Sequence, residues 1–205
     1  MPTVVKNSSP EHQIALSEVV SIQAGYPFRG AITKVANGYV RVVQAKDISD
    51  LGELSTENLI TTELTGKRKA DWLQQGDILF IAKGGRYIAS YIADEMPQVT
   101  LAPSLFLLRV NSACKDRVNP EFLTWQLNQS PVQRYFRNSA EGSHQVNIRK
   151  PVLAETAVTL PDLTTQNTIA KLYRASIKEN ALLQRLIVNR QQQLSIIAND
   201  LIAKA

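Results

Sequence analysis

At 205 residues and 22.8 kDa, with 44% apolar and 20% charged residues, the chain is long enough for one globular domain with a full core plus an appendage. That composition excludes a disordered or fibrous protein, and the longest apolar stretches, DILFIA and SLFLLRV, fall far short of the roughly twenty residues a membrane span needs. A net charge of +5 with a pI near 9.4 suits an anionic partner, while a single cysteine, Cys114, rules out an internal disulfide framework and a multi-cysteine zinc site.

Residues 1–13 read as a loose arm without an apolar signal core, so the expected compartment is the cytoplasm, with no membrane contact. From Leu16, LSEVVSIQAGYPF gives a short apolar element stopped by Gly25, and GYVRVVQAKDI alternates as a β-branched strand. GDILFIAKGG and YIASYIAD predict two more strands, and TLAPSLFLLRV predicts a third, deep in a sheet. Asn119-Pro120 has the form of an N-cap followed by proline at the first helical position, opening a helix through EFLTWQLNQ. Ser130-Pro131 breaks that helix, VQRYFRNSA resumes it, and Gly142 ends it. VTLP is a last short strand, after which Thr164 or Thr165 caps a helix running to the C-terminus without proline or glycine. The expected fold is α+β: a β-rich domain over 1–160 and one long helix over 161–205.

The long helix carries a heptad-like series, Ile169, Tyr173, Ser176, Asn180, Leu183, Ile187, Arg190, Leu194, Ile197 and Leu201, spaced alternately by four and three. Leu172, Leu182, Leu186 and Ile196 widen the stripe, so one side can meet another helix while its flank rests on the domain. Asn180 and Arg190 interrupt the seam, a device that fixes register and partner number. An antiparallel coiled coil between two copies is the expected pairing.

The tetrapeptide NPEF at Asn119–Phe122 resembles the motif by which amino-methyltransferases hold a target amine, but no glycine-rich strand-turn-helix for S-adenosylmethionine precedes it. The helix-cap reading explains the same residues. AKGGR lacks the spacing of a phosphate-binding loop, and His12 and His144 stand apart without matched carboxylates or thiols, so neither a metal site nor a catalytic residue is predicted. Basic and amide side chains do cluster in predicted loops and along one helix. They are Lys67, Arg68 and Lys69; Lys83, Arg86 and Tyr87; Arg134 and Arg137; and Ser143, His144, Gln145, Asn147 and Arg149. Arg, Asn and Gln pair bidentately with guanine and adenine, and Lys and Arg neutralise phosphate, so these are candidate DNA-binding residues. The six basic against three acidic residues of 161–205 leave seventeen against fifteen on the rest, so a DNA surface there depends on local clustering.

Taken in order, AGYPF, YVRVVQAKDI, LQQGDILFIAKGG, EGSHQVNIRKPVL and TLPDLTTQNTIAKLY make the chain resemble one half of a specificity subunit of type I restriction-modification systems, one target recognition domain followed by one spacer helix. The resemblance implies a non-catalytic subunit that chooses a double-stranded DNA sequence. A modification subunit would methylate adenine and a restriction (motor-nuclease) subunit would cut, so S-adenosylmethionine, ATP and Mg would belong to those partners and no cofactor to this chain. The usual family member carries two such halves in tandem, whereas this sequence has one. That leaves a half-length subunit pairing with itself, probed by an inverted-repeat site, a half pairing with a different half, or a truncated product. The rival reading is a protein-interaction module with a coiled-coil tail and no DNA target.

Overall fold

The structure, a computed structural model, describes residues 13–66, 68–140 and 147–203. Its centre is a four-stranded sheet in the order β2 (Val20–Ala24), β8 (Leu105–Val110), β5 (Ile78–Ile81) and β6 (Ala89–Tyr91), antiparallel throughout. One face meets a three-stranded sheet of β4 (Ile60–Thr62), β3 (Val40–Val43) and β7 (Val99–Leu101), in which β3 and β7 run parallel. The other face is covered by α1 (Pro120–Leu127), α2 (Ser130–Ala140), α3 (Lys150–Ala154) and the pair β1 (Gln13–Ala15) and β9 (Ala157–Thr159).

This layering explains the apolar runs. Along β5, Ile78 and Phe80 point into the helical core while Leu79 and Ile81 point into the core beneath the three-stranded sheet. Leu108 and Leu107 divide the same way on β8. A strand buried on both faces reads as continuous rather than alternating hydrophobicity. Phe136 fastens α2 to the sheet, its ring 5.0 Å from that of Phe80. At the start of β5, Gly76 takes φ 91°, which favours glycine, and the buried Asp77 carboxylate accepts 2.7 Å bonds from Gln74 N and from two guanidinium nitrogens of Arg109.

Four expectations need correcting. TLAPSLFLLRV is two strands in different sheets, because Pro103 offers no N–H and a turn at Ala102 closes onto Leu105 N at 3.1 Å. Gln13 belongs to β1, paired with Thr159, rather than to an arm. The strand pattern does not predict the three-residue strands β1 and β4. The last helix, α4, spans Leu163–Ala203, and its cap is Asp162, which accepts from Thr165 N at 3.0 Å and Thr165 Oγ1 at 2.7 Å. As expected, Asn119 caps α1, its Oδ1 accepting from Glu121 N and Phe122 N at 2.8 and 3.1 Å. Gly142 lies outside the described residues.

Candidate nucleic-acid interface

Both β2 and β5 run antiparallel to β8, so they point the same way and end at one edge of the domain. Gly25 N donates to Leu105 O and Ala82 N to Ser104 O, both at 3.0 Å, placing the loops that follow β2 and β5 side by side around the start of β8. Gly25 is obligatory there, since a Cβ would fall 2.1 Å from Ala102 O. The loop after β5 turns through Gly84 and Gly85 at φ 89° and 75°, a conformation glycine adopts without strain.

Three further segments reach this end. Tyr26 Oη accepts from Gly66 N at 2.7 Å and Thr65 Oγ1 from Arg29 N at 3.0 Å, which ties the stretch carrying Arg68 and Lys69 to the loop after β2. Lys83 pairs with Asn147 in an antiparallel bridge, and Ile148 N donates to Ala82 O at 2.8 Å. Gln133 of α2 donates to Tyr87 O at 2.7 Å, bringing that helix against the β5–β6 hairpin. Residues from four clusters distant in sequence thus converge.

Individually, the predicted residues differ. Lys69, Lys83, Arg134, Arg137 and Arg149 are exposed, and Asn147 is half-buried beside Lys83. Arg68 pairs with Asp71 at 2.7 Å at the surface. Arg86 turns inward: it donates to Ile48 O at 2.8 Å and Ala45 O at 3.4 Å and pairs with Asp50 at 2.7 Å, so its guanidinium binds residues 45–50 instead of presenting to a partner. Tyr87 also turns inward. It is only 3% exposed, packed edge-on against Phe136, and burial raises its phenol above the ordinary value. Lys67, Ser143, His144 and Gln145 lie outside the described residues.

Sequence reasoning missed the loop of residues 25–39, whose exposed Arg29 is tied to this end through Thr65, while Lys34, Asn37 and Tyr39 are exposed farther along it, where Val35 N donates to Thr61 O at 2.9 Å. Its signal was available as a long unpatterned stretch between two strands, and such loops are commonly functional. Among the described residues, no group of His, Cys, Asp or Glu side chains is placed to hold a metal ion, and no helix is long and apolar enough to cross a membrane.

On α4, Gln166, Ala170, Tyr173, Ile177 and Ala181 recur on one face and rest on the domain. Ile169 is half-buried, and Tyr173 leaves the predicted seam, its hydroxyl accepting from Asn128 Nδ2 at 2.9 Å. Asn180 and Arg190 are exposed, as are Leu183, Ile187, Leu194, Ile197 and Leu201, from 50% at Leu183 to 67% at Leu201. The apolar stripe therefore points away from the domain that carries it.

The family model for the type I restriction modification DNA specificity domain matches residues 12–189. Three solved structures share the fold. A chain from a structure described as showing complex assembly and conformational transition of the type I R-M system matches with TM-score 0.60 and 18% identity, over 96% of this chain and 46% of that one. The HsdS subunit from Thermoanaerobacter tengcongensis matches with TM-score 0.57 and 18% identity, over 90% and 42%. The type I restriction-modification S subunit from M. genitalium gives 0.52 and 15%, over 83% and 40%. This chain spans less than half the length of each. No curated protein sequence matches it.

Proposed function

The chain belongs to the type I restriction-modification DNA specificity family, and from that premise we propose that it is a non-catalytic half-unit that reads one half of a bipartite double-stranded DNA site. Two copies pair through the apolar stripe of α4 in antiparallel fashion, and the helices hold the two domains apart. The modification subunit then methylates adenine and the restriction subunit cleaves at the site so chosen, supplying S-adenosylmethionine, ATP and Mg themselves, in the cytoplasm.

The observation that carries this reading is the convergence of the β2 and β5 loops, the Lys83–Asn147 bridge and α2 at one end of the domain. Lys83, Asn147 and Arg149 are the side chains for base edges, together with Gln145 by its chemistry. Arg68, Lys69, Arg134 and Arg137 suit phosphates, fixing register without reading sequence. Arg86 serves from behind, holding residues 45–50 against the β5–β6 hairpin. Because a two-fold axis relates the two copies as it relates the two DNA strands, the site is an inverted repeat with an unread gap.

Mapping methylated adenines in the source genome with and without this gene tests the reading. An inverted repeat lost with the gene is expected. Two unrelated half-sites would make the partner a different half-unit, and an unchanged map would overturn the DNA assignment.

A further inference from the structure

Asn119–Phe122, the tetrapeptide with no catalytic partner, lies at the base of α4. Gln166, fully buried, uses its whole amide there: Nε2 donates to Arg117 O at 2.9 Å and Pro161 O at 2.7 Å, and Oε1 accepts from Asn119 N at 2.9 Å. Asn119, while capping α1, donates through Nδ2 to Asn167 Oδ1 at 2.7 Å. Two turns along α4 comes a second level of contact. Arg174 grips Glu121 with both prongs of its guanidinium, Nε to Oε1 at 2.7 Å and Nη2 to Oε2, and the Glu121 carboxylate is nearly buried. Beside it, Asn128 Nδ2 donates to Tyr173 Oη.

Asn128 also brackets the edge strand β6, accepting from Ala89 N and donating to Ala89 O, both at 2.8 Å. It thereby satisfies one residue's backbone on an otherwise open sheet edge. The second level thus joins α4 to the strand leading back to the hairpin that bears Lys83. A cleft of about 580 Å³, lined by Tyr91, Glu121, Tyr173, Arg174 and Lys178 among others, opens beside it, so the second level is open to solvent on one side, and past it α4 rests on the domain through the half-buried Ile177 and Ala181.

Lever geometry gives this arrangement its consequence. From Gln166 to Arg174 is about 12 Å along the axis, and from Arg174 to Ala203 about 44 Å more, at 1.5 Å per residue. Play of about 1 Å at the second level therefore moves the helix tip by roughly 5 Å, more than the roughly 3.4 Å that one base pair occupies along the DNA axis. Without the second level, hydrogen bonds from the domain to α4 remain at Gln166 and Asn167, adjacent residues at one level, while Ala170, Ile177 and Ala181 rest on the domain by packing, so the polar attachment acts as a pivot.

We propose that the Arg174–Glu121 and Tyr173–Asn128 pairs are positioning residues that lock the exit angle of α4, and so set how strictly the protein accepts a single gap length between half-sites. The consequence for DNA rests on the function proposed above; the lock itself does not. The first arm measures the lock directly. Spin labels at Lys46→Cys and Gln192→Cys, in a Cys114→Ser background and diluted with unlabelled chain, give the distance distribution from domain to helix within one chain. Expected is one narrow peak in the otherwise unaltered protein, widened in Tyr173→Phe, which removes a single hydroxyl, and widened most in Glu121→Gln/Arg174→Gln. Distributions equally narrow in all three overturn the lock. The second arm measures binding to sites whose gap varies one base pair at a time. The unaltered protein should lose about tenfold for one base pair of change, and the double variant should bind neighbouring gaps almost equally. A widened distribution with undiminished gap discrimination overturns the link to site spacing, whereas failure of the unaltered protein to bind any bipartite site sinks the DNA reading and leaves the lock to the first arm.

Discussion

The two halves of α4 form one unbroken helix and are opposite in circumstance. Leu163–Ala181 lies on the domain through Gln166, Ala170, Tyr173, Arg174 and Ile177, so its helical state rests on tertiary bonds that its own sequence does not contain. Residues 182–203 are exposed all round and display Leu183, Ile187, Leu194 and Ile197 to solvent. About 22 residues are enough for helicity but only marginally so in isolation, so this half depends on propensity and on whatever covers its stripe. The contrast teaches that phase decides the role of an apolar residue here. Leu172 falls within the docked half by position, yet at 66% exposed it lies on the outward stripe, while Ala170, two residues away, is buried.

The comparison breaks most visibly if the outward stripe is not an interface. Replacing Ile187, Leu194 and Ile197 together by Asp should raise the dimer dissociation constant by at least about a thousandfold, since each side chain is worth roughly 1.5–3 kcal/mol when buried. Sedimentation should then show monomers whose domain melts at an unchanged temperature. A folded triple variant that stays dimeric would place the interface elsewhere.

The docked half should fail in a different currency. Ala170→Asp puts a charge into the covered face and should lower unfolding free energy by about 3 kcal/mol in denaturant titrations, with little change in association. Gln192→Asp, on the projecting half and off the stripe, should move it by less than about 0.5 kcal/mol. Equal costs at the two positions would mean that the halves do not differ as described.

Much of this was legible because local rules carried it. The Asn119 cap, the break at Ser130-Pro131 and the long helix each depend on residues within a few positions of one another. What escaped depends on distance or on degeneracy. Arg86 reads as a surface cation because its partners Ile48 and Asp50 lie nearly forty residues away, and Glu121 gives no hint of Arg174 fifty-three residues on. Tyr87 beside an arginine looks the same whether its ring is stacked on a base or packed against Phe136. The strand break at Pro103 was hidden because both flanking strands are buried on both faces, so hydrophobicity continues across the corner. Asp162, Thr164 and Thr165 are all capping types within one turn, and composition does not rank them. The clustering of basic loops at one end needed topology, namely that β2 and β5 share a direction.

The smallest expected effect sharpens the contrast at the first turn of α4. Asp162 is held below the ordinary carboxylate value first by the hydroxyl of Thr165 and then by the Thr165 backbone N–H. A depressed carboxylate contributes stability that is present above its unfolded pKa and is lost as pH falls through the lower folded value. Lowering the pH from 7 to 5 should therefore leave the helix start unchanged, and loosening should begin only below the ordinary value of 3.8. The carboxylate is fully exposed, so the change is confined to the first turn and is best read from the amide resonances of Thr165 and Gln166. Asp162→Asn keeps an acceptor for the cap and should abolish the pH dependence. Thr165→Val removes the hydroxyl donor and should move the Asp162 titration back toward its ordinary position. Amides of residues 182–203 should show no transition linked to Asp162, since they share no bond with the domain edge. A common transition in both halves would mean that the helix frays as one unit, with the docked half giving its first turn no separate hold.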